Sequence, residues 1–74
     1  MIAPIPHYGA NKIKSIRNKL GLSQLAFSKA FRVSKKTVEA WEAGRNEPQG
    51  PAQRILEFLQ KESDLLEKHG IVRT

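Results

Sequence analysis

Apolar residues along this chain recur at helical spacing in short stretches, and polar or turn-forming residues separate one stretch from the next. Between Asn11 and Leu20, Ile13, Ile16 and Leu20 alternate with charges, which predicts a first helix capped by Asn11, with Gly21 in the left-handed position beyond its end. A second helix runs from a Ser23 cap through Phe31, with Phe27, Ser28 and Phe31 inward. A third starts at a Ser34 cap and ends at Ala43, closed by Gly44; Val38 and Trp41 share one face and Val33 in the bend points the same way. Asn46 to Pro51 is a loop, and Pro51 suits the first position of a fourth helix whose stripe is Ala52, Ile55, Leu56 and Leu59. A short fifth helix is expected from about Ser63 to His69, stopped by Gly70. Pro4, Pro6 and Gly9 exclude a regular helix at the start. The expected organisation is therefore an extended arm over 1–10, one all-α domain of five helices over 11–70, and a tail over 71–74.

The second and third helices form the most informative unit. Two short helices can cross steeply only if medium-sized apolar side chains interlock near the bend, and Phe27, Phe31, Val33, Val38 and Trp41 supply that lock. The outward face of the third helix is then Lys35, Lys36, Glu39, Ala40 and Ala43. Lys35 and Lys36 lie in its first turn, where ammonium groups can reach base edges or phosphates. Ala40 is short enough for close approach to a groove and for contact with a thymine methyl. Glu39 can accept from a cytosine amino group, and Thr37 can donate to a phosphate. Gln24 follows the Ser23 cap, so the backbone amides and the side-chain amide there can receive a phosphate together. Arg45 and Asn46, beyond the third helix, suit the opposite backbone wall.

Charge sharpens this picture. Of 74 residues, 13 are basic and 7 acidic. Residues 1–45 hold nine basic and two acidic side chains, net +7, whereas residues 46–74 carry a net −1. The positive field is concentrated on the two-helix unit, as expected for a polyanion partner. So short a chain has room for one small core. With no cysteine, no glycine-rich phosphate loop after a strand and no paired carboxylates in a cleft, an enzyme is not expected. His7 and His69 have no second ligand at metal spacing, so neither a metal nor a cofactor is expected. No apolar run reaches membrane-spanning length and no signal peptide is visible, which leaves a cytoplasmic location and no membrane partner as the default.

Ser23-Gln24, Phe27, Val33-Ser34, Thr37-Val38 and Trp41-Glu42-Ala43-Gly44 resemble the Cro/cI-type (XRE-family) helix-turn-helix, which implies a lambda-repressor-like fold. The run from Thr37 to Pro51, with its Trp-Glu-x-Gly-Arg-Asn-x-Pro-x-Gly-Pro pattern, is similar to antitoxins of HigA type, which pair with ribosome-dependent RNases. The resemblance covers about residues 11–68. It places Gln24, Ser34, Lys35, Lys36, Thr37, Glu39 and Ala40 on DNA-facing positions, and Arg17 with Glu42 as a buried ion pair between the first and third helices. Two positions depart from the pattern: Arg32 stands where glycine is usual, and Ser28 where alanine is usual. Phe58, Leu65 and Leu66 exceed what so small a core can bury and imply a homodimer face. Two-fold pairing would set the reading helices about 34 Å apart on a palindromic operator of double-stranded DNA. The implied function is a transcriptional repressor of its own operon that also binds a small toxin protein. A stand-alone phage or mobile-element regulator, or a protein-interaction adaptor on the same fold, is the alternative.

Overall fold

Three of the four described helices start where the sequence satisfies or removes a free amide of the first turn. A computed structural model describes residues 8–70. It contains α1 (Ala10–Lys19), α2 (Gln24–Phe31), α3 (Lys35–Glu42) and α4 (Pro51–Lys68). Ser23 Oγ accepts the amide of Ala26 at 3.0 Å, and Ser34 Oγ accepts that of Thr37 at 3.2 Å. Pro51 begins α4, where its missing N–H leaves nothing unsatisfied. At the start of α1 the cap is Gly9, not Asn11, which lies inside the helix. Gly21 and Gly44 close α1 and α3 at φ of 70° and 77°.

The all-helical class stands, but α4 is one helix of 18 residues and takes in the segment expected to form a fifth. Gln60, Lys61 and Glu62, between the two expected helices, are good helix formers. Ser63 does not open a new helix; its hydroxyl donates to the carbonyl of Gln60 at 2.9 Å and α4 passes straight through.

The core joins Tyr8, Ile13, Ile16, Phe27, Phe31, Val38, Trp41 and Leu56, flanked by Leu20, Leu22, Val33, Ala52, Ile55 and Leu59. α1 packs on α3 and α4, and α2 packs on α3. Phe31 bridges the two-helix unit: its ring lies 4.8 Å from that of Phe27 and meets Trp41 edge-on at 5.2 Å. Such contacts set the crossing of α2 and α3.

Tyr8, read as part of the arm, is instead buried at 5% exposure. Lys12, one turn along, sits 5.4 Å from its ring centre. Burial first, then the charge of Glu57, raises the Tyr8 phenol above its ordinary pKa. Residues 1–7 of the expected arm and the 71–74 tail lie outside the described residues. On the other flank, Lys19 donates to Glu67 at 2.9 Å and ties α1 to α4; that hydrogen bond raises the Lys19 pKa.

Ser28 is 2% exposed, and its hydroxyl donates to the carbonyl of Leu25 at 2.6 Å. Serine back-bonding of this kind slightly weakens a helix, and that carbonyl remains an ordinary helical acceptor without it. Ser28→Ala is therefore expected to leave stability unchanged or raise it by about 0.5 kcal/mol, measured as a shift in the urea midpoint at constant slope. A loss above 1 kcal/mol would show that the hydroxyl holds the bend.

Candidate nucleic-acid interface

Both halves of the candidate surface are set by α3, a helix about 12 Å long. Its N-terminal end carries Ser34, Lys35 and Lys36, all exposed. Ser34 caps the first turn, and its hydroxyl also meets the Thr37 hydroxyl at 3.0 Å. Local hydrogen bonds thus define this end. Lys35 and Lys36 form no ion pair among the described residues, so their ammonium groups face solvent. Thr37 and Glu39 are half-buried on the flanks of the same surface.

At the other end, Arg17 on α1 grips Glu42 with two nitrogens: Nε donates to Oε2 at 2.7 Å and Nη2 to Oε1 at 3.0 Å. Its Nη1 donates to the carbonyl of Leu22 in the turn before α2. The side chains of Arg17 and Glu42 are 12% and 5% exposed, so the pair is nearly dry. One guanidinium therefore joins α1, the α1–α2 turn and α3.

Gln24 completes this network. Its amide nitrogen donates to Glu42 Oε1 at 3.3 Å, a link that residue spacing alone does not disclose. The start of α2 thus lies against the last turn of α3, and the Gln24 side chain is half-buried rather than free. Arg45 and Asn46 follow on the exposed side, their amides donating to the carbonyl of Ala40 at 2.9 and 3.4 Å.

Ala40 itself is a correction. Expected on the outward face, it is 8% exposed. The loop that follows turns back through those two amide bonds to the Ala40 carbonyl, and Pro48 within it is buried. Helical periodicity does not say where the chain goes next.

The architecture at this point is two serine-capped helices of eight residues each, locked by aromatic contacts, with a basic end exposed on the second. The helix-turn-helix family profile matches residues 13–66, most of the chain. The chain belongs to the helix-turn-helix family. Antitoxin HigA-2 of Vibrio cholerae serotype O1 (strain ATCC 39315 / El Tor Inaba N16961) is 34% identical to it over 56 residues, 76% of this chain and 54% of that protein. The chain thus spans about half the length of that relative. In this helix-turn-helix protein no helix among the described residues is long and apolar enough to cross a membrane. Nor is there a group of three or more metal-ligating side chains among them.

Proposed function

We propose that this helix-turn-helix protein is a sequence-specific, DNA-binding transcriptional repressor that also serves as an antitoxin. The observation that carries the reading is the Ser34-capped start of α3, which presents the exposed Lys35 and Lys36. A chain with no acidic residue before Glu39 supplies the field that draws a polyanion to that end. Base contacts fall to Lys35 and Lys36, with Glu39 beside them; backbone contacts fall to Ser34, Thr37, Arg45, Asn46 and the start of α2 at Gln24. Repression follows by occlusion of polymerase from the bound operator. This role needs no cofactor and no catalysis.

Similarity to an antitoxin favours a toxin partner, bound outside the reading face, over a stand-alone regulator. The adaptor reading gives no reason for a +7 field on the helix-turn-helix half.

The test is fluorescence-anisotropy titration with duplex DNA from upstream of the gene, against a scrambled duplex, at two salt concentrations. Selective binding that weakens steeply with salt is the expected result. Equal, weak binding to both duplexes would remove the repressor reading.

A two-fold dimer would use the outer side of α4. Phe58 and Leu65 are 61% and 51% exposed and lie about 10.5 Å apart along the helix, two turns on one face. The pair Phe58→Glu and Leu65→Lys is expected to yield monomers in sedimentation, where the parent sediments as a dimer, and to weaken DNA binding at least tenfold. An unchanged sedimentation coefficient would move the interface elsewhere.

A further inference from the structure

Arg32 is the one non-glycine residue with positive φ among those described, at 56°. It closes α2 in the left-handed region, where an L side chain is strained and glycine is not. The turn is closed by two backbone bonds: its amide donates to the carbonyl of Lys29, and the next amide, of Val33, donates to that of Ser28. A glycine would make the same two bonds without strain, so the turn itself gives no reason for an arginine. The side chain must supply the reason, since strain of this kind marks functional positions.

That side chain is exposed, and among the described residues no carboxylate pairs with it. Arg32 stands two residues before the Ser34 cap and three before Lys35, a separation of at most about 10 Å. Lys29, one turn earlier and also exposed, adds charge of the same sign. A guanidinium presents a planar fork that matches two phosphate oxygens. We propose that Arg32 is a DNA-backbone contact, which grips a phosphate beside the groove that α3 enters and accepts a strained turn to do so. This rests on the DNA-binding reading above and adds a residue at the bend to the proposed backbone contacts.

The inference predicts opposite effects on stability and on binding for one substitution. Arg32→Gly relieves the turn and should raise the unfolding midpoint by a few degrees. Arg32→Gln keeps the strain and should leave the midpoint where it is. Both should weaken binding by roughly five- to tenfold at 0.1 M salt, on upstream and scrambled duplexes alike. Both should also make the slope of log affinity against log salt shallower by about 0.9, the value of one phosphate contact. Arg32→Lys should keep most of that slope.

Parent-like affinity and slope in both variants overturn the proposal. So does a loss of affinity that tracks a fall in the midpoint, since that signature belongs to a structural role. If the parent chain binds neither duplex, the DNA reading falls and takes this inference with it, a result visible without any variant.

Discussion

Glu42→Ala is expected to cost about 3–5 kcal/mol of folding stability, because it leaves the nearly buried Arg17 guanidinium with only the Leu22 carbonyl as partner. A chain of this length has roughly 4–11 kcal/mol to lose, so the variant stands near the threshold of folding at room temperature. The Gln24 amide loses its acceptor in the same step. Arg17→Met should be nearly as damaging, since it strands the carboxylate with Gln24 alone. The cost of breaking a buried pair is not the same as its net contribution, however. Replacing both partners, Arg17→Met with Glu42→Leu, removes the stranded charge and should recover much of the loss. Urea unfolding followed by the fluorescence of Trp41, the chain's one tryptophan and a core residue, measures all four proteins. A double variant no better than either single one would show that the pair's hydrogen bonds, rather than stranded charge, dominate.

The largest expected effect on binding comes from Lys35→Ala and Lys36→Ala. Both side chains are exposed, so neither truncation should move stability by more than about 0.5 kcal/mol. Each should cost about 1–3 kcal/mol of operator affinity if the lysine meets a base edge. The two measurements separate the possible roles. A lysine on a base relaxes selectivity between upstream and scrambled duplex, whereas a lysine on a phosphate weakens both and makes the salt slope shallower by about 1. If both variants bind as the parent does, the reading face is not at the start of α3.

What the sequence made legible was local. A serine before a helical stretch specifies its own cap, so Ser23 and Ser34 mark the starts of α2 and α3 without knowledge of the rest of the fold. Gly44 and Pro51 act in the same way, through backbone conformation alone. The Arg17–Glu42 pair joins residues 25 apart, and no periodicity could have paired them; it was legible only through family resemblance.

The features that sequence missed all depend on what packs on what. Ala40 is outward by helical angle, yet it is buried at 8% exposure. Tyr8 lies in a Pro- and Gly-rich stretch that reads as an arm, yet a large aromatic ring just before α1 had somewhere to go. A separate fifth helix was expected from about Ser63, but Gln60, Lys61 and Glu62 carry α4 through. The Gln24 link to Glu42 emerges only once α2 and α3 are docked.

The central claim is that the start of α3, with its flanks at Gln24 and Arg45–Asn46, is the surface that meets DNA. Backbone amide shifts of the isotope-labelled protein, followed as upstream duplex is added, test it most directly. The expected result is that the largest changes fall at Ser23–Leu25, Ser34–Glu39 and Arg45–Asn46. Changes concentrated instead on the Phe58–Leu65 side of α4, or no changes at saturating duplex, would contradict the account.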